Sequence, residues 1–176
     1  NDTLGEPTAA CLHELFRAQA RRQPDAPAVI ADAGDLTYGE LERRAADLAR
    51  SLAGLGVGLE SRVAVCLGSR PERVIALLGV LMAGGAYVPL DPAYPDERLT
   101  FMLADSEARV LLTEDGVAGI AARFLGRTGL QVVSLDGPLP EPRPAEPRGS
   151  NASWLRRTIG RPLGGHRRYA RKSSLG

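Results

Sequence analysis

Few side chains of this 176-residue chain stand at a spacing typical of a reaction site. The loop Gly68–Pro71 follows a predicted strand, but it is not the GxGxxG turn that binds dinucleotides, and the sequence contains neither a P-loop nor a GxSxG nucleophile turn. The aspartates Asp91, Asp96 and Asp105 are not spaced like a pair of carboxylates that share acid and base roles. Helix caps and turns are the better explanation for all of these residues.

The chain also lacks a pattern for metal or disulfide chemistry. Cys11 and Cys66 have no CxxC spacing, and the two histidines, His13 and His166, are too few and too scattered for a metal site. We therefore expect two thiols that are free, either buried or incidental, and no bound metal. Because the sequence has no apolar run of membrane-spanning length and no signal-peptide pattern, a cytoplasmic chain is the default expectation.

The stretch from Arg73 to Pro92 predicts the element around which the fold is organised. Residues Val74–Met82 are apolar around almost the whole circumference of a helix, which predicts a buried helix. Ser69 precedes this helix as its expected N-cap, and Pro71 fits its first turn. The glycine pair Gly84-Gly85 then ends it, because glycine adopts the left-handed conformation that terminates helices.

A second helix is predicted from Thr37, whose hydroxyl can cap it while the side chain of Glu40 returns a hydrogen bond from three residues later. This capping box gives the sequence LTYGEL a structural role. The helix should run to about Leu55, before Gly56. Its apolar stripe consists of Leu41, Ala45, Leu48, Leu52 and Leu55.

Short apolar strands alternate with helices along the chain, and the 44% hydrophobic content is enough for one domain with a core. The predicted strands are Ala28–Ala31, Leu36–Thr37, Arg62–Leu67, Ala86–Leu90, Arg109–Thr113 and Leu130–Leu135. The other predicted helices are Leu12–Arg22, one that Tyr94-Pro95 opens, and Glu114–Phe124. This alternation predicts an α/β fold with a mostly parallel sheet and helices on both faces.

Charge and proline content divide the chain further. We expect an unstructured lead at 1–10, a partial α/β region at 11–136, a proline-rich linker at 137–150 and a disordered basic tail at 151–176. The tail carries seven Arg or Lys and no acid, whereas the rest has 15 bases against 21 acids. A basic tail could bind nucleic acid or an anionic membrane, but the isolated aromatics Trp154 and Tyr169 form no stacking platform, so we expect neither partner.

Two stretches resemble core motifs of the amino-acid adenylation domains of nonribosomal peptide synthetases, which belong to the adenylate-forming (AMP-dependent synthetase and ligase) superfamily. LTYGEL is similar to the first core motif, and LMAGGAYVPLDP is similar to the second, with Met82 where the family usually has lysine. The likeness covers about Thr8 to Leu135. The matching residues, which have structural roles in the family, are Leu36, Thr37, Tyr38, Glu40, Leu41, Gly84, Gly85, Tyr87, Pro89, Asp91 and Pro92.

The resemblance implies an intact enzyme that uses ATP and Mg²⁺ to form an aminoacyl-AMP and then passes the acyl group to a phosphopantetheinyl carrier thiol. In that family a loop rich in Ser, Thr and Gly, ending in Gly-Arg-Pro-Lys-Gly, holds ATP. The degenerate counterpart here has Leu163 in place of the lysine, and chance similarity in an Arg- and Gly-rich tail is an alternative explanation. Its candidate ATP-binding residues are Thr158, Gly160, Arg161, Pro162 and Gly164.

The sequence therefore predicts a truncated, N-terminal portion of an adenylation domain, incomplete as a fold and without catalytic residues or a cofactor of its own. Its partners would be the remainder of that domain and the neighbouring carrier and condensation domains. A fragment of an acyl-CoA or acyl-AMP ligase is the alternative within the superfamily, although Tyr87 and Pro89 favour the peptide synthetases; a noncatalytic interaction module is the other. For the tail from about Asn151 we expect translation out of frame, with a natural basic tail as the alternative.

Overall fold

Four parallel strands form the main sheet of the protein, seen here in a computed structural model that describes residues 10–32, 34–114 and 129–141. In chain order the elements are α1 (Leu12–Arg22), β1 (Pro27–Val29), β2 (Leu36–Thr37), α2 (Tyr38–Gly54), β3 (Arg62–Cys66), α3 (Pro71–Met82), β4 (Ala86–Leu90), α4 (Asp96–Asp105), β5 (Val110–Thr113) and β6 (Gln131–Ser134). The strand order in the main sheet is β4-β3-β5-β6, and β1 and β2 form a separate antiparallel pair.

Helices cover the main sheet on both faces, as the alternation of strands and helices predicted. Val63 and Val65 of β3 share one apolar core with side chains of α2 and α3. Ala64 and Cys66, which point to the opposite face, pack with α4 instead. The strands β3 and β5 are therefore buried on both sides, which explains why they are continuously apolar. The α/β prediction is confirmed.

The helices α2 and α3 approach each other closely at Gly79. A Cβ atom at this position would lie 2.8 Å from Cδ2 of Leu48, so a larger residue would require the Leu48 side chain or one of the two helices to shift. At its other end α2 has the predicted capping box: Oγ1 of Thr37 accepts the Glu40 N–H at 3.2 Å, and the Thr37 N–H donates to Oε2 of Glu40 at 3.0 Å. The hydrogen bonds from Thr37 lower the pKa of the Glu40 carboxyl.

The structure corrects two expectations about α3. The N-cap is Arg70, not Ser69, and no side-chain hydrogen bond caps the helix; Pro71 occupies the first turn as predicted. The helix is also not buried all round: Ile75, Ala76 and Val80 lie in the core, whereas Leu77 and Leu81 remain partly exposed. Among the described residues, Leu77 and Leu81 are not part of the apolar core formed by α2, α3 and the sheet, nor of the side chains that pack against it.

The segment after β6 returns to α2. Leu135 and Leu139 pack against the core formed by α2 and α3, and the hydroxyl of Ser51 donates to the carbonyl oxygen of Pro140 at 2.6 Å. Residues 137–141, the described start of the predicted linker, form no helix or strand, but the contacts of Leu139 and Pro140 attach them to the domain. The predicted lead up to residue 9, the helix Glu114–Phe124 beyond its first residue, the rest of the linker and the tail lie outside the described residues.

Candidate functional site

The carboxyl ends of the parallel strands are the first place to look for a site, because ligands of open α/β sheets bind there, at the point where the strand order reverses. The chain runs from β3 outward to β4, then crosses back to β5 on the other side of β3 and continues outward to β6. The reversal point therefore lies between β3 and β5. Gly68 follows β3 at this edge and Glu114 follows β5.

An ionic cluster occupies the crevice at the reversal point. Its centre is Arg70, whose Nη1 donates to Oε2 of Glu114 at 3.0 Å and whose Nη2 lies 3.1 Å from Oδ1 of Asp136. The Nε of Arg70 lies 3.5 Å from Oε2 of Glu72. The other Glu114 oxygen accepts the Gly68 N–H at 3.3 Å. We call Arg70, Glu72, Glu114 and Asp136 the carboxyl-edge cluster.

The cluster joins loops that follow three different strands and extends to two helices. Glu72, in the first turn of α3, also accepts a hydrogen bond from Nη2 of Arg44 in α2 at 3.2 Å. The carboxylates of Glu72, Glu114 and Asp136 are mostly shielded from solvent, with side chains 15–23% exposed. The guanidinium group of Arg70 therefore connects α3 and the ends of β3, β5 and β6, and the guanidinium group of Arg44 adds α2.

The electrostatics of the crevice are set by these carboxylates. The hydrogen bond to Glu114, followed by the charge of Asp136, raises the pKa of Arg70, so this group stays charged. Burial raises the pKa of the Cys66 thiol to about 11, and the charges of Glu114 and Asp91 add to the shift. A thiol with such a pKa is neutral at physiological pH and is therefore a poor nucleophile.

This geometry does not fit the phosphates of ATP. The guanidinium of Arg70 already faces three carboxylates, so it has little capacity left for phosphate oxygens, and the surrounding negative charge would repel them. Within residues 10–32, 34–114 and 129–141 no group of His, Cys, Asp and Glu side chains is arranged to hold a metal ion. The crevice is built as a junction between elements.

A separate hollow of about 440 Å³ lies at the carboxyl ends of β3 and β4. Its apolar wall includes Val65, Leu77 and Pro89, and its polar rim includes Arg73 and Asp91. Oδ1 of Asp91 accepts the Ala93 N–H at 2.9 Å, which is the turn that the sequence predicted.

The motif residues singled out from the sequence lie in two separate places. Leu36–Leu41 forms β2 and the capped start of α2. The other motif forms the turn into β4, the strand itself and the hollow beyond it. Gly84 has a φ of +82°, a conformation that favours glycine, and a Cβ on Gly85 would lie 3.0 Å from Cγ1 of Val57, a tight contact that would require its neighbour to shift.

The candidate ATP-binding residues of the tail, Thr158, Gly160, Arg161, Pro162 and Gly164, lie outside the described residues. Sequence reasoning missed the carboxyl-edge cluster. The positions of its members in the sequence could have indicated it. Arg70, Glu114 and Asp136 each follow closely after a parallel strand, at the edge where such strands end together. Both cysteines are free, as expected, with Cys11 exposed and Cys66 buried. Among the described residues no helix has the length and hydrophobicity needed to span a bilayer.

The profile of the AMP-binding enzyme family matches residues 16–163, so the match continues past Leu135, where the motif likeness was expected to end. The chain is 41% identical over 147 residues to a linear gramicidin synthase of Brevibacillus parabrevis. This alignment covers 84% of the chain and 3% of that synthase, so the chain spans only a small fraction of the length of this relative.

Solved structures agree with the family match. The nonribosomal peptide synthetase FmoA3, in a form bound to α-methyl-L-serine-AMP, superposes with a TM-score of 0.69 at 36% identity; the match covers 79% of this chain and 16% of that one. A benzoate CoA ligase from Burkholderia xenovorans gives a TM-score of 0.65 at 28% identity, covering 69% of this chain and 25% of the ligase.

Proposed function

Because the chain belongs to the family of AMP-binding enzymes, we propose that it forms the N-terminal sheet region of an amino-acid-activating adenylation domain in nonribosomal peptide synthesis. The observation that carries this proposal is the 41% identity to the linear gramicidin synthase along 84% of the chain. Within the intact protein such a domain would join an amino acid to AMP, release pyrophosphate and pass the acyl group to a carrier thiol.

The chain's own contribution is a rigid support, not the chemistry. A catalytic site that transfers the adenylyl group of ATP to a carboxylate, with pyrophosphate leaving, needs preorganised positive charge at the α-phosphate, where negative charge develops. At the point where the strand order reverses, the positive charge comes from Arg70, and three carboxylates already surround this side chain. ATP-binding groups must therefore come from elsewhere in the domain, and we propose that this chain alone does not activate an amino acid.

A segment exchange tests the proposal. Residues 16–141 replace the aligned segment in the matching adenylation domain of the linear gramicidin synthase, and amino-acid-dependent ATP–pyrophosphate exchange is measured. We expect the chimeric domain to exchange well above background and the 176-residue chain alone to remain at background. A folded chimera without exchange would contradict the family role, and exchange by the chain alone would contradict the inactivity.

The second candidate is that the chain is a segment of an acyl-CoA ligase, and the structural match to the benzoate CoA ligase supports it. The same segment exchange in that ligase, assayed with benzoate, distinguishes the two. If only the ligase chimera were active, the acyl-CoA ligase assignment would replace ours. Activity in neither folded chimera would instead favour a noncatalytic interaction module.

A further inference from the structure

The outer side of β4 is open although its residues are apolar. Tyr87 pairs with Val63 and Pro89 pairs with Val65, so these four side chains point to the same face of the sheet. Val63 and Val65 are 0% and 3% exposed under α3, whereas Tyr87 is 39% exposed and Pro89 is exposed. Helix α3 therefore covers β3 and leaves the neighbouring edge strand uncovered on this face.

The adjacent flank of α3 extends this open surface. Arg73 and Leu77 stand one helical turn apart and line the same hollow as Pro89. Leu77 is partly exposed, and Arg73 is exposed and makes no ion pair with any other described residue. We call the surface formed by Arg73, Leu77, Tyr87 and Pro89 the β4 flank.

The backbone of β4 indicates what kind of element can cover this flank. The Ala86 N–H donates to the carbonyl of Ser61, so the even-numbered residues of β4 bond to β3 and the backbone groups of Tyr87 and Pro89 point outward. Proline has no N–H, which leaves the edge with two outward carbonyls and one outward donor. A further strand, or a second copy paired edge to edge, would lose the ladder hydrogen bond at Pro89, so strand addition is weakened at this edge.

We propose that the β4 flank is the docking surface for an amphipathic helix from the downstream part of the same adenylation domain, an inference that rests on the proposed function. A helix supplies apolar side chains to Leu77, Tyr87 and Pro89 without needing the missing backbone donor, and an acidic residue at its rim would pair with Arg73. Such a partner is available in the relatives: the match covers only 16% of the FmoA3 chain, so most of that protein is left to supply the covering helix.

Cysteine labelling in the chimeric domain tests this proposal. Tyr87→Cys is introduced into a Cys11→Ser background, and its alkylation rate by iodoacetamide is compared between the 176-residue chain and the chimera. We expect alkylation to be at least tenfold slower in the chimera. Phe101→Cys serves as the matched control, because Phe101 is 68% exposed on α4, which packs on the opposite face of the sheet, and its rate should be the same in both proteins.

The two readouts, thiol protection and ATP–pyrophosphate exchange, separate the docking surface from the proposed function. Protection of the Tyr87→Cys thiol in a folded chimera without exchange would support the docking surface while the proposed function fails. If the chimera catalysed ATP–pyrophosphate exchange but the thiol at position 87, like the control thiol at position 101, were alkylated equally fast in the chain and in the chimera, only the docking surface would be overturned. Protection that appears in the isolated chain and grows with its concentration would identify a second copy as the occupant and would also overturn it.

A second measurement covers the case in which the chimera does not fold. In the 176-residue chain, the double variant Leu77→Ser, Tyr87→Ser should reduce the fluorescence of a bound hydrophobic dye by at least half, whereas Phe101→Ser should leave it unchanged. Dye binding that does not respond to the double variant would show that the β4 flank is not an open apolar surface, and the proposal would fall.

Discussion

The strands β3 and β4 are two mostly apolar pentapeptides, RVAVC and AYVPL, that pair residue by residue and yet differ in burial. From Val63 to Cys66 every residue of β3 is buried, whereas in β4 only Leu90 is. The difference arises because β3 lies between two neighbouring strands and under helices on both faces, while β4 is an edge strand. Apolar composition therefore predicts membership in the sheet, and the cover from neighbouring elements decides burial. Pro89 is the residue that marks the edge in the sequence.

A matched pair of valines gives the largest expected contrast between the two strands. Val65→Ala in β3 removes two methyl groups from a tightly packed core and should lower the free energy of unfolding by about 2 kcal/mol. Val88→Ala in β4, at a partly exposed position, should cost less than about 1 kcal/mol. Urea unfolding of the two variants beside the parent chain measures both values, and equal losses would mean that β4 is as well covered as β3.

The sequence predicted local features of this fold better than contacts between distant residues. The alternation of elements and the Thr37–Glu40 capping box depend on nearby residues, and both are present in the structure. The exposed flank of α3 was missed because periodicity reports which faces are apolar and not whether another element covers them.

The carboxyl-edge cluster was missed for a related reason. Arg70 and Glu114 are 44 residues apart, and they meet only because β5 lies beside β3. Without the strand order, a sequence does not indicate that the loops after these two strands are neighbours. The position of residues just after the strand ends narrows the possible members of the cluster to a few. Which of them form ion pairs depends on the order of the strands in the sheet.

The buried thiol at the end of β3 provides the next contrast, and it depends on pH. The pKa of Cys66 in the folded chain is about 11, raised from an ordinary value of 9.0 mainly by burial. Below pH 9 both the folded and the unfolded state keep the proton, so the thiol makes no difference to the pH dependence of stability. Between pH 9 and 11 the unfolded state loses its proton while the folded state keeps it, so the free energy of unfolding falls as the pH rises.

The variant Cys66→Ala isolates this effect. The stability difference between the parent chain and the variant should be constant from about pH 7 to 9 and should then shift against the parent by on the order of 1–2 kcal/mol toward pH 11. Urea unfolding across this pH range measures it. A constant difference up to pH 11 would show that the thiol ionises as freely as in the unfolded chain, and that this end of β3 is open to water.

The smallest expected effect concerns the carboxyl-edge cluster, which ties the ends of the central strands together. Arg70→Ala leaves the carboxylates of Glu114 and Asp136 without their cation in a partly shielded place, and we expect a fall in the free energy of unfolding that is larger than the loss of an exposed ion pair. Arg70→Lys should restore only part of this loss, because an ammonium group cannot face three carboxylates as a planar guanidinium does.

Arg50→Ala is the control, since Arg50 forms an exposed ion pair with Asp47 within α2, and removing it should cost at most a few tenths of a kcal/mol. Raising the salt concentration should weaken the Arg50–Asp47 pair more than the carboxyl-edge cluster, because solvent ions screen exposed charges more effectively than shielded ones. If the two alanine variants lost equal stability and responded equally to salt, the carboxyl-edge cluster would be no more than a set of surface contacts. The alignment of β3, β5 and β6 would then rest on their apolar packing and backbone ladders alone.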